Sequence, residues 1–478
     1  MNGRTLMEDH EKFKRGMELF LKRPDFSVGM TPSEVVYTED KMKVLHYIPT
    51  VEKPHPVPIL IVYALVNRYY ILDLQPDKSV IKKLLEEGFD VYLIDWGYPS
   101  GADRYLTLDD YVNGYINTVV DKVRERAGVD KITLFGVCQG GTLSVMYAAL
   151  HPEKVKNLVT LVTPVHFDTD KGLLYIWAKS LDVDKIVDYY GIVPGDTMNA
   201  GFLLTDPFRT MIDKYVGLFE HIDCESGDVE CELRNEENIK NFLRMEKWIF
   251  DSPDQAGEAY RQFVKDCYQN NLLIKNKMVI GGKTINLKNI TMPLLNVMAE
   301  FDHLVPNDTS KPLSDAVSSK DKATLVFPTG HIGIFVGSKS QKEVCPKIAA
   351  WLKPKSFLDR TGEEKPVQEG EEKPVQEGEE KSVQEGEEKP VQEGEEKPVQ
   401  EGEEKSVREG EVKSVQEGEE KPVQEGEVKP VQEGEVKPVQ EKEVKPVQEG
   451  EENLNKKMLN KKRSVAHQGR KNVTIQPE

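Results

Sequence analysis

The constraint that most limits how this chain can fold is a set of short, mostly apolar runs. Val57 to Leu65 is apolar throughout, Asp90 to Asp95 is strand-like, Lys131 to Val137 is a short β-rich run and Leu158 to Val165 reads as a further buried run. They alternate with helix-spaced segments at Ser79 to Gly88, Leu108 to Ala127 and Gly141 to Leu150. A strand that is apolar on both faces must be covered on both faces, so the pattern predicts a parallel sheet between helical layers. The sheet resumes with Pro293 to Ala299 and Ala323 to Phe327 and closes with a helix over Gln341 to Leu352. The longest apolar stretch, Pro58 to Val66, is about half of the ~20 residues a membrane-spanning helix requires, so it is read as a buried strand.

Around this core the chain divides into further parts. Residues 1–55 read as an N-terminal helix, with Phe13, Met17, Phe20 and Leu21 at helical spacing, followed by an approach strand. Residues 56–167 and 290–355 are the α/β core. Between them, over 168–289, alternation stops and aromatic residues such as Trp177, Trp248, Phe250 and Phe263 recur at helical spacing. This is the composition of an inserted helical cap over the strand ends, where open α/β sheets bind ligands; a separate helical domain is the alternative. Residues 356–478 form a tail. It carries eleven copies of an eight-residue unit, Gly-Glu-Glu-Lys-Pro-Val-Gln-Glu and variants, over 362–449, then a basic end over 450–478. Pro in eight of the units, Gly in ten and few apolar side chains leave nothing to offset backbone ordering, so the tail is expected to be disordered.

Charge is distributed unevenly. The formal net charge is −18, of which the repeats hold −16 and the last 29 residues +4, so residues 1–361 carry only −6. A basic nucleic-acid-binding domain is thereby excluded from the core. Met1 to Arg23 mixes charges throughout and has no apolar h-region, which predicts no secretory signal and a cytoplasmic location. Five cysteines in a reducing compartment argue against a disulfide framework.

The chemistry concentrates at Leu134-Phe-Gly-Val-Cys-Gln-Gly-Gly141. A strand expected to end at Phe135, a helix expected to start near Gly140 and glycines two residues either side of Cys138 form Gly-x-Nuc-x-Gly, the nucleophile elbow of the α/β-hydrolase fold, with Cys in place of Ser. Such a turn aims backbone N–H groups, above all that of Gln139, at a developing oxyanion. In this fold an acid and a histidine follow the nucleophile at later strand ends. Asp302 follows Leu294 to Ala299, and His331 follows Ala323 to Phe327. Cys138, Asp302 and His331 are therefore the candidate triad. A second oxyanion donor should come from the loop after the first long strand, where Val66 is the candidate, beside Asn67 and Arg68. His303 adjoins Asp302 but points elsewhere on its loop. His221, Cys224 and Cys231 could supply three zinc ligands, yet no fourth lies at finger-like spacing, and an exposed loop is the expectation.

The Gly136-Val-Cys-Gln-Gly-Gly141 box resembles that of polyhydroxyalkanoate synthases. Several strings are similar to the catalytic C subunit of the class III, two-component type: Leu60 to Arg68, Asp90 to Pro99, Asn241 to Gln255 and Gly330 to Phe335. The resemblance runs from about Thr31 to Leu352 and leaves out the repeats. It implies an acyltransferase that polymerises short-chain 3-hydroxyacyl-CoA, such as 3-hydroxybutyryl-CoA, into polyester with release of CoA. Cys138 would be acylated, His331 would be the base, and Asp302 would orient His331 or help deprotonate the incoming hydroxyl. CoA thioester is a substrate, and no cofactor or metal is implied. The implied partners are a non-catalytic E subunit, a second copy in a homodimer or hetero-oligomer, and the surface of a storage granule, with no nucleic acid and no transmembrane segment. A hydrolase on the same fold, either an esterase or a polyester depolymerase, and a non-catalytic granule protein are the competing expectations.

Overall fold

In the computed structural model, the described residues are 26–208, 214 and 229–357. The expected N-terminal helix, the repeats and basic end, His221 and Cys224 lie outside them, as does the side chain of Cys231. Among the described residues eight strands form one sheet: β1 (Ser33–Glu39), β2 (Met42–Tyr47), β3 (Ile59–Val62), β4 (Val91–Asp95), β5 (Ile132–Val137), β6 (Val155–Leu161), β7 (Leu294–Ala299) and β8 (Lys322–Phe327). Their order is β1-β2-β4-β3-β5-β6-β7-β8. Pairing is antiparallel for β1 with β2 and β2 with β4, and parallel from β4 through β8. This is the α/β-hydrolase arrangement that the strand and helix alternation predicts.

Period-two alternation sorts the apolar runs onto two faces. Leu60, Val62, Ile94, Leu134 and Leu158 pack on one side with Val119 and Met146. Ile59, Ile61, Leu93, Phe135 and Leu161 pack on the other with Leu84 and Ile348. The covering helices have legible ends. In α1 (Val80–Glu86) the Ser79 side chain accepts from Lys82 N. A wider turn over Asp110–Ile116, opened by Thr107 N and Oγ1 donating to Asp110, leads into α2 (Asn117–Ala127), which stops at Gly128 with φ 66°. The elbow helix α3 (Gln139–Leu150) is buried along most of its length.

Three expectations need correction. The single approach strand is a hairpin, because Asp40, with φ 51°, turns the chain back and β2 then pairs with β4. Strand β5 runs to Val137 and α3 begins at Gln139, so Cys138 alone makes the turn. The insertion over 168–289 is not all cap. Its helices are α4 (Leu173–Ser180), α5 (Val183–Tyr190), α6 (Gly195–Leu203), α7 (Val229–Ile249) and α8 (Gly257–Phe263); Tyr175 of α4 and Trp248 of α7 each reach a core cluster, and from α8 onward the chain packs into the core. Phe263, Cys267, Leu273, Met278 and Ile285 belong to the same buried cluster as Leu60 and Leu134, whereas Val183, Val187, Val193 and Val264 form a small cluster of their own. Helical spacing cannot tell a helix that covers a sheet from one that covers a site. A final helix, α9 (Cys345–Leu352), closes the second face.

Ile61 is fully buried in a central strand. Ile61→Ala should lower unfolding stability by about 2–5 kcal/mol, as read by denaturant titration; a loss well under 1 kcal/mol would contradict this placement.

Candidate active site

The sheet register brings the site together. Val62 is opposite both Ile94 and Gly136, Val137 is opposite Leu161, and Ala299 is opposite Phe327. The carboxyl ends of β3, β5, β7 and β8 therefore share one edge of the sheet, and the loops leaving them carry Val66, Cys138, Asp302 and His331.

Cys138 has φ 53° and ψ −126°, a region that L-residues rarely occupy and that persists only where the surroundings impose it. Its N–H donates to Leu161 O at 2.9 Å. The flanking glycines permit close approach. A Cβ on Gly140 would lie 2.2 Å from Val62 O, one on Gly141 1.8 Å from Thr163 Oγ1, and one on Gly136 2.4 Å from Gly141 Cα. The start of α3 is thus pressed against the end of β3, and its positive end favours an anion at Cys138.

The acid and the histidine meet because their loops are tied. Glu300 N donates to Phe327 O at 2.8 Å, and Phe301 N to Thr329 O at 3.0 Å. Asp302 Oδ2 then lies 2.7 Å from His331 Nδ1, while Oδ1 accepts from Leu304 N at 3.0 Å and Val305 N at 2.8 Å. Both side chains are buried. Cys138 lies within the electrostatic reach of the same imidazole. Burial pushes the His331 pKa down, but the charges of Asp302 and Cys138 outweigh it and raise the pKa to about 10. With its pKa raised, the ring keeps its proton at neutral pH, beside the sulfur of Cys138. His303, next to Asp302, is exposed.

The loop after β3 is clamped from positions sequence reasoning did not assign. Leu65 N donates to Gln139 Oε1 at 3.1 Å, and Leu65 O accepts from Gln255 Nε2 at 2.9 Å. Asn67, with φ 57°, donates to Ser252 Oγ at 2.9 Å, and Trp248 Nε1 donates to Arg68 O at 2.8 Å. Arg68 pairs with Asp95 at 2.8 Å and stacks on Tyr98 at 4.3 Å. Among the described residues no hydrogen bond takes the N–H of Val66 or of Gln139. Trp248 and Gln255 fall within the string Asn241 to Gln255, but sequence spacing gives no means of pairing them with residues some 180 positions away. Among the described residues no group of three His, Cys, Asp or Glu is placed to hold a metal ion, and no helix is long and apolar enough to cross a membrane.

The strand order, the elbow and the tied acid and histidine define an α/β-hydrolase-fold protein with cysteine at the nucleophile position, and residues 57–338 match the α/β hydrolase fold family. Residues 5–84 match the N-terminal region of poly-beta-hydroxybutyrate polymerase. The chain is 51% identical over 349 residues to the poly(3-hydroxyalkanoate) polymerase subunit PhaC of Allochromatium vinosum, covering 73% of this chain and 95% of that protein. It is 49% identical over 351 residues to the subunit of the same name from Synechocystis sp., covering 72% and 90%. It belongs to the poly(3-hydroxyalkanoate) polymerase subunit PhaC family.

Two outcomes test this geometry. Gly140→Ala places a methyl group against the backbone of β3, so it should remove activity and lower the melting temperature. Wild-type behaviour of this variant would mean that α3 is not pressed against β3. Asp302→Asn removes the larger of the two charges that raise the His331 pKa, so the ring should deprotonate at lower pH, as read by NMR of its nitrogens. The raised pKa contributes stability that is complete below about pH 6.5, the ordinary histidine value, and is lost as pH rises through about 10. The melting-temperature gap between wild type and Asp302→Asn should narrow over that range, and a gap independent of pH would refute the assignment.

Proposed function

We propose that the chain polymerises 3-hydroxyacyl-CoA thioesters into polyester through an acyl group carried on Cys138. The Cys138 thiolate attacks the thioester carbon, the C–S bond to CoA breaks, and the imidazolium of His331 gives its proton to the departing thiolate, releasing CoA as the free thiol. A thioester has replaced a thioester, so loading is close to balanced and the acyl group persists. The hydroxyl of a second hydroxyacyl group then attacks the same carbon. Its proton passes to His331, an ester forms, and sulfur recovers its electron pair. The N–H groups of Gln139 and Val66 would hold the oxyanion in both steps.

One observation carries this reading: in a chain of this family, a cysteine at the strained elbow interacts with a histidine that a buried carboxylate holds. The engagement of both Asp302 oxygens supports the orienting role over direct deprotonation of the hydroxyl. The chemistry needs only the thiol, the imidazole and the carboxylate of the chain itself. Short-chain substrates such as 3-hydroxybutyryl-CoA, a non-catalytic E subunit, assembly as a homodimer or hetero-oligomer, and residence on storage granules in the cytoplasm complete the proposal, on the strength of the family resemblance.

Cys138→Ala should abolish CoA release and polymer formation from 3-hydroxybutyryl-CoA while keeping the wild-type circular dichroism. Cys138→Ser should retain little activity, because a hydroxyl needs a far stronger base than a thiol. Polymer synthesis by the alanine variant at near wild-type rate would sink the assignment, and free 3-hydroxybutyrate as the sole product of the wild-type enzyme would make it a hydrolase.

A further inference from the structure

Two glutamines grip the same residue of the loop after β3 from opposite ends. Leu65 N donates to Gln139 Oε1 at 3.1 Å, and Leu65 O accepts from Gln255 Nε2 at 2.9 Å. The carbonyl of Leu65 and the N–H of Val66 belong to one peptide group, which is planar and, with no cis bond among the described residues, trans. The two point in opposite directions, so fixing Leu65 O also fixes the direction of the Val66 N–H. That N–H has no hydrogen-bond partner among the described residues. The next residues are pinned as well, Asn67 by Ser252 and Arg68 by Trp248. Val66 is thus held from both sides while its own donor stays open.

Both glutamines are themselves firmly placed. Gln255 is buried, and its Nε2 also donates to Pro253 O at 3.0 Å and, at 3.4 Å, to Asp254 O. Its backbone pairs with Val193 in a two-residue antiparallel ladder. The segment around it has no room to shift, since a Cβ on Gly195 would lie 1.9 Å from Ser252 O and one on Gly257 2.0 Å from Gly191 O. Gln139 follows the nucleophile directly and opens α3, and Gly140 after it is pressed against Val62 O and Tyr63 O. The Gln139 side chain therefore spans from the first candidate oxyanion donor, its own N–H, to the residue that precedes the second.

Resting on the reaction given above, with the N–H groups of Gln139 and Val66 as oxyanion donors, we propose that the side chains of Gln139 and Gln255 are positioning residues that together orient the Leu65–Val66 peptide and so set the spacing of the two donors. An oxyanion forms in loading and again in ester formation, so both steps depend on the pair. Attack of the Cys138 thiolate on a saturated carbon forms no oxyanion and does not.

Gln255→Met keeps the length of the side chain but donates nothing to Leu65 O. First-turnover CoA release from 3-hydroxybutyryl-CoA, measured by rapid quench, and steady-state polymer synthesis should both fall about 10- to 100-fold. Alkylation of Cys138 by iodoacetamide, in which the S–C bond forms and iodide leaves, should change by less than about threefold, as read by mass spectrometry of the Cys138 peptide. Gln139→Met removes the acceptor for Leu65 N and should give the same split, and it decides the matter if Gln255→Met fails to fold. Equal loss of acylation and alkylation would make the glutamines structural only, and unchanged acylation in either variant would mean that the donor is fixed without them; each result overturns the proposal. Failure of the wild-type enzyme to release CoA or form polyester would instead overturn the reaction on which the proposal rests.

Discussion

The site depends on one close contact, the packing of the first turn of α3 against the end of β3. Gly140 meets the carbonyls of Val62 and Tyr63, and Gly141 meets Thr163, with no room for a side chain at either position. That contact holds Cys138 in its strained conformation, lines the free N–H groups of α3 along one edge of the sheet, and lets Gln139 reach back to Leu65 in the loop of the second candidate donor. The strain at Cys138 is of order 1–3 kcal/mol and is sustained by a sheet whose central strands are buried on both faces.

Against this rigid turn stands a balance of electrostatic terms. Burying an imidazolium is unfavourable, and only the ionised Asp302 on one side and the sulfur of Cys138 on the other reverse the sign. Asp302 is itself held by two backbone N–H groups, so orientation and charge come from the same residue. Removing one member of such a buried set leaves an uncompensated charge, a loss of about 3–5 kcal/mol, which is why the three residues work as a unit. The same dryness suits the thioester intermediate proposed above, which must meet an alcohol before water. Tyr63 and Tyr175 are buried and Tyr268 partly so, and Tyr175 and Tyr268 pack with Phe167 and Phe263.

Much of this was legible in the residues, and the parts that were not share a cause. Cys138, Asp302 and His331 could be singled out because each follows an apolar run directly, and a strand end fixes where the next residues must lie. Trp248 and Gln255 could not, because they come from the insertion, where helical periodicity gives a buried face without saying what it faces. For the same reason the expected cap over 168–289 proved to be of two kinds, its later part packing into the core beside Leu60 and Leu134.

By itself the sequence determined the layered parallel sheet, the elbow with its cysteine, the chain order of the three candidate residues and the charge contrast between the acidic repeats and residues 1–361. These depend on local pattern: period two, period 3.6, glycine placement and charge. Only the tertiary structure decided the register that puts four strand ends on one edge, the ties from Glu300 and Phe301 that bring Asp302 to His331, and the clamp of Trp248 and Gln255 on the loop after β3. Each of these joins residues distant in the chain, and contact between distant residues is set by packing that no local period encodes.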